Sequence, residues 1–358
     1  MNETPSEAVK TSFTQEDFEK ITILVTAEFQ VEEAFIEHNM PTYYLKQPQE
    51  TKQPFLRLLK SLKNMNLIAF LRRKDEKIVL KVVPKPPAKP SKIWIGWVLF
   101  LATIATTFFA GYLVSPSAIN PYVGGASFTI AMLAILGTHE MGHKLTANKN
   151  EIEATVPYFI PGPPPFGTLG AVIMQRSLPP NRDALFDLGA NGPISGFIIA
   201  TIVSIIGLIM LVPSEPVQAG VIGAPLLWLL IEQGLHSLNM IPQPPPNGML
   251  LLHPLGFAGW VGIVVTMLNL LPAGMLDGGH ITRALTREKF RFVLSTLSIF
   301  YLVILRVYIM AILVLFLSMY KHPGPLDDVS SLSTSRKFLA IILIAIFVLC
   351  TPPSLFLI

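Results

Sequence analysis

The amino-acid sequence predicts a polytopic α-helical membrane protein of about six spans, or seven, behind a small α+β soluble domain. Three observations predict it. Hydrophobic residues make up 51% of the chain and charged residues only 14%, against roughly 25% charged in soluble domains. Several apolar stretches approach the ~20 residues needed to cross a bilayer. The first 83 residues carry no such stretch and read as short amphipathic and β-branched runs.

Within residues 1–83, QEDFEKITILVTAEF has helical spacing, and VEEAFIEHN and TYYLK read as strands. KQPFLRLLKSLKNMN forms an amphipathic helix with Phe55, Leu58, Leu59 and Leu62 on one face. LIAFLRR and KIVLKVV flank KDE and make a β-hairpin. This domain contains no catalytic pattern. It is expected to filter substrates, bind a partner or stabilise the fold. A basic, proline-rich linker, PKPPAKPSK (84–92), follows. The membrane-embedded domain then occupies 93–358. Its first span is IWIGWVLFLATIATTFFAGYLV, with Trp94 and Trp97 suited to an interfacial belt. Further spans are expected near 126–147, 186–212, 255–273, 293–319 and 337–357, and a shorter apolar piece at 221–235 is re-entrant or interfacial.

Lys and Arg set the orientation. They gather before the first span (Lys81, Lys85, Lys89, Lys92), after the second (Lys144, Lys149, Arg176, Arg182) and after the fourth (Arg283, Arg287, Lys289, Arg291). Residues 115–125 and 213–253 contain none. The N-terminal domain is therefore expected in the cytosol and the protein in a cell membrane. The loop 320–336 then falls on the outer side, despite Lys321 and Arg336. The net charge of +4 is small and unevenly placed, which argues for orientation rather than a nucleic-acid partner. The N-terminal stretch MNETPSEAVKTSFTQEDFEK is polar and acidic, unlike a signal peptide or a Ser- and Arg-rich plastid transit peptide. Cys350, the one cysteine, excludes an intramolecular disulfide and a Cys-based zinc site.

The chemistry lies in AILGTHEMGHKLTA (134–147). On a helix, His139 and His143 stand one turn apart and project from one face, as two nitrogen ligands of one zinc require. Glu140 lies beside them, where it can take a proton from a water that zinc has acidified. Ionisable groups inside an apolar span usually mark function. A catalytic zinc needs a third protein ligand and an open position. The best candidate is Asp277 in NLLPAGMLDGGH (269–280), at the cytosolic end of the fourth span and at matching depth, with His280 as a competitor. Asn269, two turns before Asp277, and Asn191, in ANGPISG, could each bond a substrate carbonyl or the oxyanion. Either could instead make an interhelical hydrogen bond. Gly192, Pro193 and Gly196 are read as permitting close packing and a bend.

These motifs together resemble the site-2 protease family of intramembrane zinc metalloproteases, which pairs H-E-x-x-H with N-x-x-P-x-x-x-L-D-G in a later span. Here the second motif is filled by Asn269, Pro272, Leu276, Asp277 and Gly278. VPYFIPGPPPFGTLGAVI (156–173), NRDALFDLGANGPISGF (181–197), HPLGFAGWVGIVVTMLNLLP (253–272) and HPGPLDDV (322–329) are similar to the prokaryotic and plastid branch without a PDZ domain. The resemblance implies His139, His143 and Asp277 as ligands of one Zn2+ and Glu140 as catalytic base. It implies a transmembrane protein as substrate, cut in or near the bilayer.

A metal transporter using the same His pair is the alternative. It expects a second ligand set toward the other side, where His236 and His253 are the only histidines. A prenyl-protein protease would need a downstream intramembrane Glu as third ligand, and none suitable follows His143. FGTLGAVIMQ (166–175) is expected as a strand or re-entrant hairpin able to pair with an unwound substrate. Arg306 is expected mid-span, paired with Asp187. The acidic PLDD (325–328) reads as a solvated turn, with cation binding as the other option.

Overall fold

The computed structural model describes residues 13–87, 92–215, 223–286, 288–320 and 322–353, and they fall into two compact units. The first unit comprises the described part of Met1–Pro90 together with Leu178–Leu185 and Pro323–Ser333. It starts with a reciprocal cap. The Asp17 amide donates to Thr14 Oγ1 at 3.2 Å, and the Thr14 amide donates to the Asp17 carboxylate at 3.0 Å. Behind this cap run α1 (Gln15–Glu28), β1 (Val31–Glu37), β2 (Met40–Leu45), α2 (Lys52–Lys63), β3 (Leu67–Lys74) and β4 (Lys77–Pro84). The strands form an antiparallel sheet in the order β1-β2-β4-β3. Phe55, Leu58 and Leu62 of α2 are fully buried with Ile21 and Val25 of α1 against Tyr43, Leu71 and Leu80 of the sheet.

Leu326 belongs to the same core. It reaches the outer edge of β3, where the Leu71 amide donates to the Leu326 carbonyl at 2.9 Å and the Asp328 amide donates to the Leu71 carbonyl at 3.1 Å. The amides of Leu326 and Asp327 donate onward to the carbonyls of Pro179 and Pro180 at 2.8 and 3.0 Å. Asp327 has 0% exposure, and its Oδ1 accepts from the amides of Val329 and Ser330 at 2.8 and 2.9 Å. PLDD is thus a buried connection rather than a solvated turn, because the carboxylate satisfies two backbone donors that would otherwise be stranded. The sheet unit also draws on two segments outside the expected 1–83. Residues 88–91 of the expected linker lie outside the described residues.

The second unit contains α3 (Ile93–Leu113), α4 (Pro121–Lys149), β5 (Tyr158–Pro161), β6 (Thr168–Val172), most of α5 (Arg182–Ile209), β7 (Val212–Ser214), α6 (Leu226–Ser237), β8 (Met249–Leu251), α7 (Pro254–Leu270), α8 (Asp277–Leu285), α9 (Glu288–Ile304), α10 (Tyr308–Ser318) and α11 (Thr334–Cys350). Among the described residues, three helices, α3, α4 and α5, are long and apolar enough to cross a membrane. The other apolar helices, α7, α9, α10 and α11, have 17 residues or fewer. Small residues let α5 and α7 approach closely. A Cβ on Gly259 would come within 2.6 Å of Ser204 Oγ, and one on Gly262 within 2.8 Å of Ala200 Cβ.

Two expectations are corrected here. The stretch 293–319 is not one span. It breaks between α9 and α10 at Arg306, whose φ of 60° lies in the left-handed region. The Val307 amide caps the break by donating to the Leu302 carbonyl at 3.0 Å. α9 and α10 pack together as a helical hairpin around Leu302, Ala311 and Val314. The hairpin returns the chain to the end at which α9 starts, and residues 323–333 join the unit of the N-terminal sheet. Residues 323–333 of the expected outer loop 320–336 thus belong to the same compact unit as that sheet. Arg306 is exposed at the turn. Asp187 pairs instead with Arg336, whose Nε donates to Asp187 Oδ1 at 2.8 Å.

Candidate metal centre

Asn120 opens α4 by accepting from the Tyr122 amide at 3.0 Å, and Pro121 occupies the first helical position, where its missing N–H costs nothing. The helix then runs unbroken to Lys149 and carries His139, Glu140 and His143 near its C-terminal end. The chemistry of the pair depends on a bond made behind it. His143 Nδ1 lies 2.7 Å from the Leu188 carbonyl of α5, which can only accept. Nδ1 therefore carries the proton, and Nε2 presents its lone pair to the site.

Asp277 arrives by a different route from the one expected. α7 ends at Leu270, the chain turns through Pro272 and Gly274, and Asp277 is the first residue of the separate helix α8. Asn269 and Asp277 thus do not share one helix. The turn can be this tight because Gly278 and Gly279 lie against backbone. A Cβ on Gly278 would strike the carbonyls of Leu270 and Leu271, and one on Gly279 would lie 2.8 Å from the Ala273 carbonyl.

The result is a close triad. His139 Nε2 and His143 Nε2 are 3.1 Å apart. Asp277 Oδ2 is 3.2 Å from His139 Nε2, and Asp277 Oδ1 is 3.3 Å from His143 Nε2. These separations come close to the roughly 3.3–3.4 Å expected between ligand atoms ~2.0–2.1 Å from one tetrahedral ion. Two imidazole nitrogens and one carboxylate also match the donor set of such an ion. The three residues can hold one metal ion.

Glu140 is buried beside the triad, and the backbone amide of Ile173, just past β6, faces its carboxylate. Asn269 Nδ2 lies 3.3 Å from His139 Nε2. Asn191 is not brought to the triad. Its Nδ2 donates to Thr146 Oγ1 at 2.7 Å, between α5 and α4. His280 turns away as well, with Nδ1 2.7 Å from His322 Nε2. His253 Nδ1 accepts from the Leu255 amide at 3.0 Å and caps α7, while His236 is exposed on α6.

Gly192 and Gly196, read from the sequence as close-packing positions, lie against the His pair, and Gly189, not singled out there, extends the same face. Gly189, Gly192 and Gly196 form one small-residue row at helical spacing. A Cβ on Gly189 would meet the Asp277 carbonyl at 2.7 Å, one on Gly192 would enter the His143 ring, and one on Gly196 would lie 3.0 Å from His139 Nδ1. The spacing within LGANGPISG was the available signal. The Leu188 carbonyl had none, since every residue carries one.

The sequence model described as Peptidase family M50 matches residues 127–315, about half of the chain. The chain is 30% identical over 224 residues to a probable zinc metalloprotease EGY1, chloroplastic, of Arabidopsis thaliana, covering 53% of this chain and 40% of that one. It is 28% identical over 245 residues to a probable zinc metalloprotease EGY2, chloroplastic, of Oryza sativa subsp. indica, covering 65% and 45%. A probable zinc metalloprotease EGY1, chloroplastic, of Oryza sativa subsp. japonica is 28% identical over 303 residues, covering 74% and 51%. The chain thus spans about half the length, or less, of these relatives. No solved structure matches it.

Proposed function

Because the chain belongs to peptidase family M50, we propose that it is a zinc metalloendopeptidase that hydrolyses peptide bonds in or near the transmembrane segments of other membrane proteins. The observation that carries this reading is the triad of His139, His143 and Asp277, spaced for one tetrahedral ion with Glu140 alongside. A zinc ion held there supplies Lewis acidity and a water acidic enough to ionise near neutral pH.

The chain's own residues supply the rest. Glu140 is the general base, taking a proton from the attacking water and passing it to the leaving amine. Leu188 fixes the His143 tautomer. Asn269, whose Nδ2 lies 3.3 Å from His139 Nε2, would donate to the developing oxyanion. A peptide inside a helix hides its carbonyls, so the substrate must unwind, and its freed backbone then needs partners. Among the described residues β6 pairs with β5 along one edge, and the Ile173 amide just past it faces Glu140. A substrate strand added at β6 would reach the base.

The proposed setting is a cell membrane with the sheet unit on the cytosolic side, supported by the Lys and Arg flanking the spans. A metal carrier would expect a second ligand set. Among the described residues, this triad is the one group of three that could hold an ion.

The test uses the full chain in detergent, with zinc content and cleavage of a transmembrane substrate read for wild type and Glu140→Gln. The expected result is about one zinc in both proteins and cleavage only by wild type. Cleavage by Glu140→Gln at the wild-type rate, or wild type that binds no zinc, overturns the reading.

A further inference from the structure

The residues that follow Asp277 contain a second polar cluster with no part in the proposed chemistry. Arg283 lies in the last turn of α8 and Arg291 in the first turns of α9, and both are buried. His280 and His322 are hydrogen-bonded to each other, and the charges of Arg283 and Arg291 bear on His322. Arg291 is only 6% exposed, and its Nε and Nη1 are buried with no hydrogen-bond partner. Ser318, at the end of α10, has a buried hydroxyl that also lacks one. It lies at this same end of the hairpin. A Cβ on Gly274 would come within 3.4 Å of the Ser318 nitrogen, and the Gly274 amide points at Ser295, one turn along α9 from Arg291.

A guanidinium cannot shed its charge. Buried with unsatisfied donors, it carries a desolvation cost that an anion with several acceptor oxygens would offset. Phosphate fits best, because its several oxygens can accept from donors that point in different directions, as Nε and Nη1 do. The surroundings indicate where that phosphate resides. Phe290, Phe292, Val293, Leu297 and Phe300 are exposed on the outer surface of α9, an apolar stripe beginning beside Arg291. The sequence around the cluster is also rich in Arg and Lys (Arg283, Arg287, Lys289, Arg291), the composition expected at the level of acidic headgroups.

We propose that Arg291, with Arg283 and the Ser318 hydroxyl, forms a binding site for a phosphate group at the α8–α9–α10 junction, filled by the headgroup of an acidic phospholipid whose chains lie along the α9 stripe. Arg283 stands on the helix that begins with Asp277, so an occupied site would tie that helix to the surrounding lipid.

The test reads lipid retention rather than peptidase activity, so it stands or falls separately from the proposed function. Full-length protein is titrated with phosphatidylglycerol and with phosphatidylcholine and examined by native mass spectrometry. Thermal melts with inorganic phosphate run in parallel. We expect phosphatidylglycerol to be retained in preference, with its dissociation constant raised roughly tenfold or more by Arg291→Gln, the usual effect of losing charged hydrogen bonds. Should Arg291→Gln not fold, Arg291→Lys keeps the charge, loses the Nε and Nη1 donors and should show a smaller rise in the dissociation constant. Stabilisation by inorganic phosphate without lipid retention, again dependent on Arg291, would keep the site and assign it a free phosphate. Retention equal for both lipids, or unchanged in the Arg291 variants, overturns the proposal.

Discussion

Replacing Gly192 by Ala tests the cradle at its tightest point. The new Cβ would lie 2.6 Å from His143 Cδ2 and closer still to Nε2, where ordinary contact begins at 3.4 Å. The ring must therefore retreat by about 0.8 Å or more, while metal–ligand distances tolerate only about 0.2 Å. Retreat is also opposed by the 2.7 Å bond from Nδ1 to Leu188. Gly196→Ala is the internal control. Its Cβ would lie 3.0 Å from His139 Nδ1 and 3.1 Å from its Cβ, so a shift of a few tenths suffices. Chelator competition on detergent-purified protein should show zinc affinity reduced roughly 100-fold or more by Gly192→Ala and roughly tenfold or less by Gly196→Ala. Melting temperatures without metal separate loss of the site from loss of the fold. Wild-type zinc affinity in a folded Gly192→Ala protein would refute the packing of α5 on His143.

Three further outcomes are expected. Burial, joined by His280, Arg283 and Arg291, pushes the His322 imidazole down to about 3. The unfolded chain takes that proton from ~6.5 downward while the folded chain does not, so stability should fall as pH drops below ~6.5. His322→Asn should flatten that slope in melts recorded between pH 7 and 4.5, and an unchanged slope would contradict the assignment. Leu58→Ala, at a fully buried position, should destabilise the sheet unit by about 2–5 kcal/mol in urea unfolding followed there. Asn269→Ala should retain zinc but lower kcat by ~10²–10³ with little change in KM, and an equal loss of zinc would make Asn269 a support of the site instead.

What the sequence made legible follows its periodicities. The small domain could be read because α2 places Phe55, Leu58 and Leu62 on one face and β3 alternates burial along its length. The His pair could be read because a spacing of four has one geometric meaning on a helix. The break at Arg306 could not. Residues 293–319 are apolar on both sides of it, and no Gly or Pro marks the turn. Asp187 was paired with the wrong arginine for the same reason. Once α9 and α10 fold back as a hairpin, Arg306 sits exposed at its turn and Arg336 takes the carboxylate. The Leu188 carbonyl and the amides that bind Asp327 are backbone groups, which leave no trace in composition.

The strand pairing of Leu71 with residues 326–328 also has a consequence in time. The four strands are complete once residue 84 has been synthesised, but the segment that covers the β3 edge comes about 240 residues later. At ~5–20 residues per second, that edge waits uncovered for roughly 12–50 s. An open edge is a template for another nascent chain. Arg72, Arg73 and Lys74, the last three residues of β3, place three positive charges along it during that interval. When residue 326 emerges, the Arg72 guanidinium donates to the Leu326 carbonyl at 2.6 Å, so a charge that repelled strangers now fastens the chain's own late-arriving segment.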